Sequence, residues 1–342
     1  MTRLLQVMAG APQGGAEAFF ERLAPALARV GLEQHLAIRR DPGRAARLRE
    51  RGLTVTELRF GGRLDLATGW GLAALAKGFR PEVILGWMNR AARILPSGPY
   101  VRVGRLGGYY DLKYYRHCDH LIANTRDLRR WIIEQGWPAE RVDYLPNFAD
   151  DPGPVVPMPR DAFDTPEGVP LLVALGRLHP NKGFDLLLRA LACLDEAVLW
   201  LAGEGPLRAE LATLAEQLGI ANRVRFLGWR DDAPRLLASA DLFVCPSRHE
   251  PLGNVVLEAW ASARPVIAAA AQGPRELIRP GETGLLTPTE DPASLAAAIA
   301  ALLADPGRAA RIGAAGRAAV EAQFNEAAVV GRDKALFARI AG

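Results

Sequence analysis

The feature that most constrains this chain is an alternation. Short apolar runs rich in Leu, Val and Ile are separated by longer segments whose apolar residues fall at helical spacing. In the first half, strands are expected at residues 4–8, 35–38, 54–58, 83–85, 100–103 and 121–123. Helical segments fall between most of them, at 16–30, 66–77 and 128–135 for example. Pro25 lies inside the first helix and predicts a kink or break there, because it has no N–H and its ring crowds the preceding turn. Strands joined by helices predict a parallel sheet covered on both faces, an α/β fold.

The alternation stops once. Residues 145–170 hold seven prolines and no periodicity, the signature of a linker and a domain boundary. It then resumes, with strands expected at 171–175, 198–202, 224–227, 242–245 and 266–269 and a helix at 184–194. The final third is alanine-rich and helical, ending in a helix at 324–340. The expected organisation is therefore a domain at 1–150, a linker at 151–170, a second domain at 171–323 and a terminal helical segment at 324–342.

Composition narrows the class. No apolar run approaches a membrane span, and the N-terminus reads as a first strand leading into a glycine loop rather than as a signal peptide. Three widely spaced cysteines, Cys118, Cys193 and Cys245, suggest no disulfide framework and no zinc site, so a reducing cytoplasm is expected. Residues 1–150 carry 23 basic and 15 acidic side chains, against 19 and 23 in the remainder. That asymmetry suggests an anionic partner for the first half, and a membrane surface, an acidic glycan or a nucleic acid would each satisfy the charge. An arginine-rich genome would give the same bias.

Open α/β sheets bind ligands at the carboxyl ends of their strands, which directs attention to the loops there. The richest is RHEPLGNVVLEAW, residues 248–260. A strand, a turn forced by Pro251 and Gly253, and a helix with Asn254 as its expected N-cap make a place where backbone N–H groups meet an anion. Glu250 and Glu258 flank it. Eight helical residues span about 12 Å, whereas a glycosidase acid/base pair sits about 5–9.5 Å apart, so the two look like separate grips on one long ligand. A surface loop before a core helix explains the same residues. Arg177 and Lys182 follow strand 171–175 and could clamp two phosphates, or be solvated loop charges. Gly203 and Gly205 could admit a ligand close to the backbone, or simply turn the chain. Gly14 and Gly15 open the first long helix, which suits a phosphate or a polar substrate but also an ordinary tight turn. His117, His120 and His249 lie at no convincing metal-ligand spacing. Tyr109, Tyr110, Tyr114 and Tyr115, beside Arg105, Lys113 and Arg116, could stack on a sugar, sit at a membrane interface or pack in the core. On the surface alternative, charge reversal at Arg105 and Arg116 would reduce membrane or acceptor association.

Taken together, these strand ends resemble the nucleotide-sugar domain of the retaining glycosyltransferases of family 4, which have the GT-B architecture. The resemblance rests on GRLHPNKGFDLLLRAL (176–191), LAGEGPLR (201–208), VRFLGWRDD (224–232), ADLFVCPSRHEPLGNVVLEAWASARPVIA (240–268) and GPRELIRPGETGLL (273–286), in the right order and spacing, with GGAE (14–17) a looser match. It implies two Rossmann-like domains facing across a cleft, with the last helix crossing back to the first domain. It implies that Arg177 and Lys182 hold a donor diphosphate, Glu258 the ribose and Glu250 the donor sugar. Leu252, Gly253, Asn254 and Val255 would offer backbone N–H groups, Leu227 and Trp229 would border the base, Gly203 would line the donor site, and Gly14 and Gly15 would lie near the phosphates and acceptor. Transfer would retain anomeric configuration with no metal or other cofactor, the nucleotide-diphosphate sugar being a co-substrate.

One departure concerns the acceptor side. Many relatives carry a histidine at a strand end of the first domain; GWMNRAAR (86–93) and RLGGYYDLKYY (105–115) contain none, which leaves Asn89, Arg90 or Tyr109 as the sugar-contacting candidates. The expected partners are a nucleotide-sugar donor, a surface glycan or lipid-linked acceptor such as lipopolysaccharide core, and an anionic membrane at the inner face of the cytoplasmic membrane, not a nucleic acid. A non-catalytic sugar-nucleotide-binding module and an NDP-sugar epimerase of related fold are the competing functions. An NAD-dependent oxidoreductase is disfavoured because neither half has G-x-G-x-x-G after its first strand.

Overall fold

The computed structural model describes residues 2–11, 14–62 and 65–342. Pro12 and Gln13 of the expected glycine loop lie outside the described residues. Every strand pairs in parallel, and the strands divide between two sheets. The first contains β1 (Arg3–Met8), β2 (Glu33–Arg39), β3 (Thr54–Leu58), β4 (Val83–Trp87), β5 (Val101–Leu106), β6 (His120–Ala123) and β7 (Val142–Tyr144), in the order β3-β2-β1-β4-β5-β6-β7. The second contains β8 (Leu171–Leu175), β9 (Val198–Ala202), β10 (Val224–Gly228), β11 (Leu242–Cys245), β12 (Val266–Ala269) and β13 (Leu285–Thr287), in the order β10-β9-β8-β11-β12-β13.

Central strands such as β8, β9, β11 and β12 are buried at every residue. Successive side chains point to opposite faces, and here both faces are covered. Leu172, Ala174, Leu199 and Val244 pack into one core, and Leu171, Val173, Trp200 and Phe243 into the other. β7 and β13 have only three residues each, sit at sheet edges and are partly exposed. They give no periodic signal and were not expected from the sequence.

The chain forms two compact units, Met1–Asn147 with Glu326–Gly342, and Phe148–Asn325. From Phe148 onward the proline-rich stretch belongs to the second. Ala149 and Met158 are buried in its core, and Trp200 Nε1 donates to Thr165 Oγ1 at 2.8 Å. The helix Glu326–Ala341 belongs to the first unit. Its Asp333 is fully buried and meets the equally buried Arg105 at 3.3 Å, while Arg29–Glu326 and Arg339–Asp143 pairs hold its ends.

Two local expectations are corrected. The helix Gly15–Arg29 runs unbroken through Pro25. The carbonyl that Pro25 cannot serve belongs to Glu21, and the Arg51 guanidinium donates to it at 3.1 Å instead. The helix of the 248–260 stretch spans Asn254–Ala261, and its N-cap is Gly253, not Asn254. Gly253 has φ of 93°, a left-handed conformation that favours glycine.

Both sheets are doubly wound, and each reverses its winding beside its first strand, between β1 and β4 and between β8 and β11. Crevices at the carboxyl ends of such strands are the ligand sites of this architecture. The helices over the sheets are short, and no helix of the described residues is long and apolar enough to cross a membrane.

Candidate functional site

In the second unit the switch point brings the loops after β8 and β11 into contact. His249 N donates to Asn181 O at 3.1 Å, and a Cβ on Gly183 would lie 2.2 Å from Pro246 O. This zipper places Lys182, from the β8 loop, against Glu250, from the β11 loop. Lys182 Nζ donates to the Glu250 carboxylate, which also accepts from Ser247 Oγ at 3.3 Å. Burial works against the Lys182 charge, but Glu250, aided by Glu258, more than offsets it and holds the ammonium above its ordinary value. Lys182 and two glutamates some seventy residues further along the chain thus share one electrostatic site. The sequence reading gave Lys182 and Glu250 separate ligand groups; it did not foresee that they bind each other.

The helix Asn254–Ala261 begins beside this pair with no side-chain cap, and it carries Glu258, half-buried, one turn in. Leu252 and Gly253 are buried before it, and Asn254 and Val255 are half-buried in its first turn. Glu250 O accepts from Gly273 N at 2.7 Å, so the start of the helix Gln272–Leu277 also fixes this segment. Cys245 lies beneath. Burial and the nearby Glu250 push its thiol up to about 11, which keeps it protonated and unsuited to nucleophilic work.

Arg248 is the residue whose role the sequence reading missed. Its guanidinium is bidentate to Asp185, at 2.5 and 2.7 Å, and also meets Glu290 at 2.6 Å and Pro180 O at 3.1 Å. It therefore ties the β11 loop to the β8 loop on one side of Lys182 and to the helix Phe184–Ala192 on the other. The hydrogen bond from Arg248 holds the Asp185 carboxyl below the usual range. The signal was present as an acid three residues after Lys182, but it pairs across 63 residues, which spacing cannot show.

The remaining candidates of this unit lie at the ends of β8, β9 and β10. Arg177 is exposed on the β8 loop, with no ion pair among the described residues. Leu227 is half-buried at the end of β10, and Trp229 is 58% exposed beyond it. Gly203 follows β9. Its missing side chain makes room for the Gly176 carbonyl, 1.8 Å from where a Cβ would sit, and its N–H donates to Gly228 O at 2.7 Å. The glycine is needed for loop-to-loop packing.

The first unit offers a looser arrangement at its own switch point. Gly14 and Gly15 are exposed at the start of the Gly15–Arg29 helix. Glu17, buried in the first turn, accepts from Ala11 N at 2.8 Å, and its carboxylate fills the space a Cβ on Gly14 would occupy. Across from it, Met88 has φ of 60°, a strained conformation for a non-glycine residue at the end of β4, with Asn89 half-buried and Arg90 exposed after it. No sequence signal marks Met88. Tyr109 is committed elsewhere: its hydroxyl donates to Asp127 and its ring packs edge-on against Trp131. Tyr115 is fully buried. Arg105 is 3% exposed, stacked near Phe19 and Trp87 and paired with Asp333, so it takes no part in a surface basic patch.

Two doubly wound parallel-sheet units, the second with a charged cluster and a helix N-terminus at its switch point, define the GT-B class of protein. Residues 13–151 match the family described as Glycosyltransferase Family 4, and residues 169–305 match Glycosyl transferases group 1. The chain is similar to the lipopolysaccharide core biosynthesis glycosyltransferase LpsE of Rhizobium meliloti (strain 1021), 37% identical over 92% of this chain and 93% of that protein. It is equally similar to LpsD of the same organism, 37% identical over 96% of each. A crystal structure of Anabaena Alr3699/HepE in complex with UDP shares the fold, with a TM-score of 0.84 at 23% identity, over 99% of this chain and all of that one. The chain belongs to the family 4 glycosyltransferases, and it is an enzyme of that kind.

Proposed function

We propose that the enzyme is a retaining glycosyltransferase that moves a sugar from a nucleotide-diphosphate sugar to a glycan or lipid-linked acceptor of the lipopolysaccharide core type. The observation that carries this reading is the Lys182–Glu250–Glu258 cluster beside the uncapped start of the Asn254–Ala261 helix. Lys182 is kept charged, and at present its charge is spent on Glu250. An arriving diphosphate competes for that ammonium and frees Glu250 to accept a hydrogen bond from a sugar hydroxyl. Glu258 takes the ribose hydroxyls, and Arg177, exposed on the same loop, adds a second positive charge. These groups and the helix N-terminus stabilise the leaving diphosphate as its charge develops, a preorganised role that asks for no metal. The donor nucleotide is drawn from the neighbour that holds UDP, and the acceptor class from the names of the relatives. A cytoplasmic location follows from the use of a nucleotide sugar and accords with three free cysteines.

A panel of UDP-, GDP- and ADP-sugars, read by calorimetry and by slow donor hydrolysis in the presence of a chelator, tests the donor reading. One class of donor should bind well above the others. Glu258→Ala should weaken that binding on the order of tenfold or more, the loss of hydrogen bonds to a charged group. Failure of every donor to bind would end the proposal.

A further inference from the structure

We propose that the outer corner of the first unit's sheet, formed by Arg39, Arg40 and Arg59 with Leu66 and Trp70, docks onto an anionic lipid bilayer. Arg39 ends β2, and Arg59 follows β3. The backbones of the two strands are joined there, Arg39 in register with Leu58 and Arg40 N donating to Leu58 O at 2.9 Å. The three guanidinium groups are exposed, and none makes an ion pair among the described residues. The neighbouring acids are engaged elsewhere. Asp41 caps its own helix and pairs with Arg44, and Glu57 pairs with Arg49. Asp65 accepts from Gly61 N, Thr68 N and Thr68 Oγ1 at 2.6 to 3.1 Å. Arg59 acts electrostatically on it as well.

The apolar half adjoins the basic half by the same hydrogen bonds. The helix Leu66–Phe79 is tied to the end of β3, where Phe60 N donates to Thr68 Oγ1 at 2.9 Å. Leu66 and Trp70, four residues apart on one face, are 66% and 73% exposed. Ala73, Ala74 and Lys77 continue that exposed face, and the helix contains no acidic residue. An uncovered tryptophan beside unpaired arginines suits the interface of a bilayer, where an indole sits at headgroup depth and basic residues meet anionic lipid. A protein partner of complementary charge would need acidic groups against the arginines and an apolar socket for Trp70. An anionic bilayer supplies both over a continuous surface. The patch sits at the carboxyl edge of the sheet, the same edge as Gly14 and Asn89. This deepens the reading of a lipid-linked acceptor, and it rests on that reading only for the reason an enzyme would need the surface. It also moves the membrane contact away from Arg105, which is buried.

The test is co-sedimentation of the whole chain with vesicles of phosphatidylethanolamine and phosphatidylglycerol, and with vesicles of phosphatidylcholine alone, at 0.1 M salt. Wild type should bind the anionic vesicles and not the neutral ones. The triple variant Arg39→Glu, Arg40→Glu, Arg59→Glu should lose on the order of 100-fold in partitioning, since each basic residue near an anionic surface contributes several-fold. Leu66→Ser with Trp70→Ser should lose about tenfold. Reversing Arg189, Arg308 and Arg311 in the second unit should change little. The substituted side chains at the corner are exposed, so thermal unfolding should be nearly unaltered. Absent binding by wild type, or equal binding by wild type and both corner variants, overturns the proposal. So does loss of self-association in the Leu66/Trp70 variant without loss of vesicle binding, which would make a second copy the occupant. Donor binding, measured without vesicles, separates the two proposals. A chain that binds donor but ignores vesicles loses only this surface, and a chain that binds vesicles but no donor loses only the donor reading.

Discussion

The two units share a winding and differ in how they spend their charges. At the second unit's switch point the charged side chains are turned on one another: Lys182 on Glu250, and Arg248 on Asp185 and Glu290. At the first unit's carboxyl edge the equivalent loops hold exposed glycines, a strained Met88 and, at the outer corner, exposed arginines with no ion pair among the described residues. Its most deeply buried ion pair, Arg105 with Asp333, lies in the interior and joins the terminal helix to the sheet instead. The difference teaches that one fold can use buried charge either to prebuild a ligand site or to fasten a distant segment of chain. A prebuilt site suits a ligand of fixed chemistry such as a diphosphate. An open edge suits a larger and more variable acceptor.

The sharpest way to break this contrast is to remove the centre of the second unit's cluster. Lys182→Ala should leave Glu250 unpaired in a partly buried site and cost on the order of 100-fold or more in donor affinity and kcat/KM. Unchanged donor affinity by calorimetry would show that the cluster is structural. In the first unit the prediction concerns pH. Burial raises the Asp333 carboxyl to about 6, above its value in an unfolded chain, despite Arg105 beside it. A raised acid contributes stability that is present near pH 4 and is lost as pH rises through about 6. Wild type should therefore lose up to about 3 kcal/mol relative to Asp333→Asn between pH 4 and pH 7. Parallel stability profiles of the two proteins over that window would show that Asp333 titrates as it does when unfolded.

A smaller effect tests whether the second unit's site is prebuilt by its clamp. Arg248→Ala should cost about 1–2 kcal/mol in unfolding free energy, as two partly exposed charge-assisted contacts are lost. It should lower kcat/KM by roughly tenfold through misplacement of Lys182. Arg248→Lys should rescue stability in part but not the rate, because a lysine cannot span both Asp185 oxygens in the plane a guanidinium does. Full recovery of rate by lysine would mean that charge alone matters there.

Much of this molecule was legible before any coordinates. The alternation of strand and helix set the α/β class, because apolar runs of five residues such as 171–175 bury both faces only inside a parallel sheet covered by helices. The motifs after β8 and β11 marked the site, because a turn, a glycine and a helix start leave a local trace. Short edge strands such as Val142–Tyr144 left none, and the left-handed Met88 has no sequence mark at all. Pro25 shows the same limit in the other direction. Its local rule predicted a kink or a break, but the helix continues, and a guanidinium from 26 residues further along the chain serves the carbonyl that the proline leaves over.

The sequence by itself determined the central strands, the longer helices, the positions of the main loops and the chemical types gathered in them. All of these depend on residues within a few positions of one another. Only the tertiary structure decided which charges meet. It paired Lys182 with Glu250 across 68 residues and buried Arg105 against Asp333 across 228, and it left Arg39, Arg40 and Arg59 exposed beside Trp70. The physical reason is that an ion pair depends on separation in space and on exclusion of water. Neither quantity is a function of spacing along the chain.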